Sequence, residues 1–155
     1  MPEQADFATD PRRGLPSTLT FTATSTQNVR TLGAILESLD TVTLTTVTRS
    51  NRLVGRPMAL CVDNFDGTLW FFAPMTSRII VDVVANPEVN ISYIGPLTSL
   101  SITGTATLTP NLAQTSARWR RGLGPWFPGG MDDAAMIEVA ADEARLWTLR
   151  PELRV

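Results

Sequence analysis

The sequence predicts a mainly β domain of the α+β class, arranged as an antiparallel barrel with short flanking helices. Three observations carry the prediction. Strand-like segments run in succession with short connections, helical periodicity appears only in brief inserts, and no regular strand–helix–strand alternation occurs. That order argues against a doubly wound parallel sheet and for an antiparallel barrel.

Taken in order, residues 1–24 are rich in Pro, Thr, Ala and Gly and read as a flexible tail, within which Thr18 to Thr24 alternates well enough for an edge strand. The domain proper spans 25–155. Val29, Leu32, Leu36 and Leu39 repeat at helical spacing after a capping Ser25 or Thr26, predicting a helix over 26–39. Val42 to Thr48 is β-branched and alternating, Ser50-Asn51 makes a turn, and Leu53 to Val62 is a second strand. Asp63 to Gly67 reads as a hairpin loop leading into the strand Thr68 to Ala73. Ser77 to Ala85 has a helical apolar face that Asn86-Pro87 ends. Val89 to Ile94 and Leu100 to Leu108 are strands about a Gly95-Pro96 turn, Asn111 to Arg121 is helical, and Gly122 to Gly130 is a loop. Met136 to Ala140 and Ala144 to Leu149 read as two final strands.

Composition narrows the chemistry. The 155 residues fit one domain with a real core. All 13 basic residues are Arg, and there is neither Lys nor His. This excludes a P-loop lysine, a Schiff-base lysine, a Ser-His-Asp triad and imidazole metal ligands. A single cysteine, Cys61, allows no thiolate cluster or intrachain disulfide and suits the cytoplasm; in its apolar run it reads as a small core residue. Net charge is −2 with no basic stripe, so nucleic acid is not the expected partner. No apolar run approaches a membrane span, and no signal peptide is read. Hard chemistry would therefore come from a bound cofactor or from carboxylates.

Four segments could carry function. Pro74-Met75-Thr76-Ser77-Arg78 places hydroxyls and an Arg at a helix N-terminus, where free amides favour anions. Taken alone, the segment is better read as an ordinary capped helix with a solvated Arg. Arg56 lies inside an apolar strand, so it faces either an anion or a carboxylate such as Asp82. If the strands flanking the Asp63–Gly67 loop pair, Arg56 falls near Ala73 and Pro74, and two Arg converge with Ser77 on a phosphate-sized target. Leu69-Trp70-Phe71-Phe72 offers a strand face for a flat ring system, or core packing. Trp126-Phe127-Pro128-Gly129-Gly130 sets large aromatics in a flexible loop, which fits a lid or a reach toward a partner subunit better than a monomer's core. Asp132-Asp133 reads as the acidic first turn of a helix rather than a metal pair. Arg118, Arg120 and Arg121 read as a solvated helix face.

Seven segments, Leu44 to Val47, Arg56-Pro57-Met58-Ala59, Leu69 to Phe72, Ser77-Arg78, Val89 to Tyr93, Ser101 to Ala106 and the Trp126–Gly130 run, occur in register over 27–149. In this the chain resembles the general stress protein branch of the pyridoxamine 5'-phosphate oxidase-like split barrels that bind flavin mononucleotide (FMN). The resemblance implies a six-stranded antiparallel split β-barrel, a homodimer and flavin at the subunit interface. It implies that Arg56, Ser77 and Arg78 hold the flavin phosphate. Pro57, Met58, Phe71 and Phe72 would flank the ring system, and Trp126 would approach it. At Arg78 the family usually has Lys, a change that keeps the charge. A flavin-dependent oxidoreductase on a small acceptor is implied first. A flavin-sequestering stress protein, or a barrel using a deazaflavin or another cofactor, stands second.

Overall fold

The computed structural model describes residues 17–22, 26–62, 64–109, 118–119 and 121–148. Seven strands and two helices make up the frame: β1 (Ser17–Thr22), α1 (Thr26–Leu36), β2 (Thr41–Val47), β3 (Leu53–Ala59), β4 (Thr68–Pro74), α2 (Arg78–Ala85), β5 (Glu88–Ile94), β6 (Thr98–Thr109) and β7 (Ala134–Thr148). Two 3-10 segments, Arg121–Trp126 and Gly130–Asp133, precede β7. The helix expected over 111–121 lies largely outside the described residues.

All pairings are antiparallel. The order is β1-β7-β6-β5-β2-β3, with β4 also on β7. One edge of β7 is therefore shared: its first half pairs with β4 (Phe71↔Ile137) and its second with β1 (Leu19↔Leu146). Strands β2 to β7 curl into the six-stranded split barrel, and β1 supplies the edge strand expected near the N-terminus. Inward positions alternate as the sequence pattern requires: Val42 and Leu44 on β2, Val89 and Ile91 on β5, Leu100, Ile102 and Ala106 on β6, Leu69 and Phe71 on β4. Leu32 and Leu36 of α1 and Ile79 and Val83 of α2 cover this core.

Two expectations are corrected. Ala134–Thr148 is one strand, where two were expected over 136–149. The register slips between Thr103, paired with Glu143, and Gly104, paired with Ala141, leaving Asp142 as an extra residue. This bulge bends β7 without ending it, so it looks like a break in the one-dimensional alternation. Gly104 permits the close approach: a Cβ there would lie 2.6 Å from the Ala140 carbonyl oxygen. The Gly67 carbonyl accepts from the Ala141 N–H at 2.8 Å, tying the loop before β4 to the bulge.

Secondly, β3 and β4 do not form a hairpin. Among the described residues their link is an isolated bridge, Cys61 to Trp70. Strand β3 ladders with β2 and β4 with β7. Both carry a proline, Pro57 and Pro74, which cannot donate to a ladder and suits an edge. The two edges of the curled sheet thus face each other unjoined, and the barrel is split between them.

Gly104→Ala is expected to lower stability by about 1–3 kcal/mol, the overpacking cost, because the opposing atom is backbone and cannot rotate away. Urea midpoints for the two proteins check this; equal midpoints would mean the bulge can move aside.

Candidate functional site

A cavity of about 350 Å³ occupies the split. Arg56, Pro57, Met58 and Ala59 of β3 form one wall, and Phe72, Ala73 and Pro74 of β4 the other. The start of α2, with Ser77, Arg78 and Ile79, closes one end; Leu123, Trp126 and Phe127 bring in the loop before β7. Seven of the expected site residues (Arg56, Pro57, Met58, Phe72, Ser77, Arg78 and Trp126) therefore share one cavity. They do so across an unpaired gap rather than along the hairpin first expected. Phe71 does not join them. Strand alternation turns it to the opposite face, where it is fully buried in the main core.

The chain builds the back of the cavity from a second apolar cluster. Cys61, Phe72, Leu123, Phe127, Ala134 and Met136 are buried together, with Trp70 and Trp119 packed against them. Phe72 and Phe127 each meet Trp119 edge-on, with ring centroids 5.3 Å apart. The Arg118 guanidinium lies 3.9 Å from the centre of the Trp70 ring, so it belongs to this cluster rather than to a purely solvated face. The aromatic loop thus divides its labour. Phe127 is a core residue, although the loop read as a better fit to a lid or a partner contact than to a monomer's core, whereas Trp126 is 73% exposed beside the cavity mouth.

The two arginines differ sharply. Arg56 donates through one terminal nitrogen to Asp82 Oδ2 at 2.8 Å and through the other to Thr46 Oγ1 at 2.7 Å. The Thr46 hydroxyl in turn donates to Asp82 Oδ2 at 3.0 Å. Thr46 and Asp82 are buried, at 0% and 5% exposure. Of the two partners that the sequence left open for Arg56, the carboxylate is present, and Asp82 is the site residue that sequence reasoning ranked low. Its signal was there: a carboxylate on the apolar face of a short helix demands a cation. Arg78 is exposed and, among the described residues, makes no ion pair or hydrogen bond.

Ser77 is the N-cap of α2, but its hydroxyl donates to the Pro74 carbonyl at 2.6 Å and leaves the helix amides uncapped by a side chain. Asp132 and Asp133 sit in the second 3-10 segment, as their charge pattern suggested. No group of three or more potential ligands that could hold a metal occurs among the described residues. No described helix is long and apolar enough to cross a membrane.

The structure is thus a split barrel with a cavity at its seam, apolar walls along its length and, at one end, a cation that has no partner among the described residues. Residues 27–152 match the family described as pyridoxamine 5'-phosphate oxidase like, and the chain belongs to that family. None of the curated proteins compared matches the sequence. Among solved structures, the general stress protein 26 of Bacillus anthracis is similar with a TM-score of 0.65 and 18% identity, over 74% of this chain and 89% of that one. A protein of Clostridium acetobutylicum related to general stress protein 26 gives 0.60 and 16%, over 79% and 84%. A FAD-binding protein of Mesorhizobium loti gives 0.64 and 16%, over 84% and 98%.

Removing one partner of a buried, hydrogen-bonded pair leaves a charge without compensation. Asp82→Ala is expected to cost about 3–5 kcal/mol. The double change Asp82→Leu with Arg56→Met should recover most of it, since apolar replacement of such a pair is often near neutral. Chemical denaturation of the three proteins checks the ordering; a double variant no more stable than Asp82→Ala would contradict it.

Proposed function

We propose that the chain binds FMN in the split between β3 and β4. We infer that it works as a homodimer and as a flavin-dependent oxidoreductase on a small acceptor. One observation carries the reading: an apolar slot between two unjoined strands ends at Arg78, a cation with no partner among the described residues, set at the start of a helix. A phosphate fits that end, where forked guanidinium donors and helix amides favour an anion. Arg56 adds donors, since two of its five N–H groups are engaged. The slot's walls, Pro57 to Ala59 and Phe72 to Pro74, suit a flat ring system, as both present edge-strand backbone and small or apolar side chains. Membership of the family and the FAD-binding neighbour from Mesorhizobium loti support a flavin as the ligand class.

A flavin supplies hydride and single-electron transfer when bound. The chain's contribution is position and cover. Arg78 and the start of α2 hold the phosphate, the β3 and β4 walls exclude water from the ring, and the exposed Trp126 flanks the open side where a partner subunit would cover it. A second reading, flavin storage without turnover, is favoured by one feature. Among the described residues the cavity wall holds no carboxylate, Tyr or Cys, so a proton would come from the Thr41 or Ser77 hydroxyl or from water.

Visible flavin absorption that stays with the protein through dialysis is the expected result. Arg78→Ala should weaken FMN binding by about 1.5–3 kcal/mol, the range for a charge-assisted hydrogen bond. Fluorescence titration checks this, with riboflavin alongside. Unchanged affinity in the variant, or riboflavin bound as tightly as FMN, would remove the phosphate assignment.

A further inference from the structure

The phosphate end of the cavity holds two guanidiniums, yet they do not contribute two charges. Arg56 is tied to Asp82 and Thr46 by bonds of 2.7–2.8 Å, and both partners are sealed inside the protein. The carboxylate neutralises Arg56, whose side chain is 24% exposed and lines the cavity. Arg78, one helical turn before Asp82 on α2, has no such partner among the described residues. Among the described residues, the net charge presented to a ligand is therefore one, not two.

We propose that Asp82 is a specificity-determining residue. Although it touches no ligand, it sets how strongly the site prefers a phosphorylated ligand over its unphosphorylated counterpart. It does this in two ways. It aims Arg56, whose unused N–H groups stay directed by the bond to a fixed oxygen. It also cancels the Arg56 charge, so that Arg78 alone carries the long-range attraction. Thr46 completes the arrangement by accepting from Arg56 and donating to Asp82, which leaves one Asp82 oxygen serving both. The proposal rests on the reading of this cavity as a phosphate-binding flavin site.

The test separates charge from shape. Asp82→Asn keeps an acceptor for Arg56 and Thr46 while removing the negative charge. The preference for FMN over riboflavin is expected to rise about tenfold, the size of one added charge near a protein surface. Its dependence on salt should steepen as well. Arg78→Ala should collapse the preference, and adding Asp82→Asn to it should restore part by releasing the charge of Arg56. A purely structural Asp82 would not rescue a variant on another residue. Asp82→Ser, which shortens the side chain and keeps a hydroxyl, makes the same charge change if Asp82→Asn does not fold. An unchanged FMN preference and salt slope in a folded charge-removing variant, or no rescue of Arg78→Ala, overturns the proposal. Inorganic phosphate gives a readout independent of flavin, as the rise in melting temperature with added phosphate in the wild-type and variant chains. If neither flavin binds the wild type, the flavin reading falls. The proposal then stands if phosphate stabilises Asp82→Asn more than the wild type, and falls if the two respond alike.

Discussion

The interaction on which the site depends is the ion pair between Arg56 on β3 and Asp82 on α2. The two elements come from separate parts of the chain, and β3 has no ladder to β4 that would fix its free edge. The pair, bonded at 2.8 Å with Thr46 of β2 as third member, fastens that edge to the helix beside the seam. Taking both charges out of water has a cost, and good geometry with further hydrogen bonds is what offsets it. The carboxylate here has both: a guanidinium donor and a hydroxyl donor on a single oxygen. The cavity keeps its shape because its β3 wall and its α2 end are anchored to each other.

Apolar packing does the rest on the opposite side. Strand β4 is committed on both faces, with Leu69, Phe71 and Ala73 in the main core and Phe72 in the cluster of Trp70, Trp119 and Phe127. A strand so held cannot drift toward β3 to close the gap, although Cys61 and Trp70 already bridge it at one end. The void is thus a consequence of two strands that each satisfy a different partner. Its walls inherit the residues that alternation turns outward from the core.

Much of this was legible in the sequence. Period-two alternation located the strands from β2 to β6, and the helical period of Ile79 and Val83 located α2. Arg56 stood out because arginine in an apolar strand needs a reason, and Arg78 because it follows a helix cap. What could not be read was pairing across the fold. A five-residue loop between two strands looks like a hairpin, and only tertiary competition from β7 makes β4 pair elsewhere. The bulge at Asp142 interrupted the alternation and made one strand look like two. Phe71 and Phe72 are equivalent in composition. Which of them faces the cavity depends on the register of β4 against β7, a fact fixed about 65 residues away by the pairing Phe71↔Ile137.

The long, shared strand β7 has a consequence for how the chain reaches this state. It is the last strand in order, and β1, β4 and β6 all align on it. The pairing of Ser17 with Thr148 joins the first described residue to the last. Before β7 is made, β4 and β1 have no ladder at all, while β2, β3, β5 and β6 can already assemble. During synthesis the earlier strands must therefore wait with exposed edges until β7 leaves the ribosome. Such non-local closure is slow, and waiting edges invite pairing with other chains. The topology that leaves a slot between β3 and β4 therefore also leaves the growing chain with unpaired edges for longer than a run of local hairpins would.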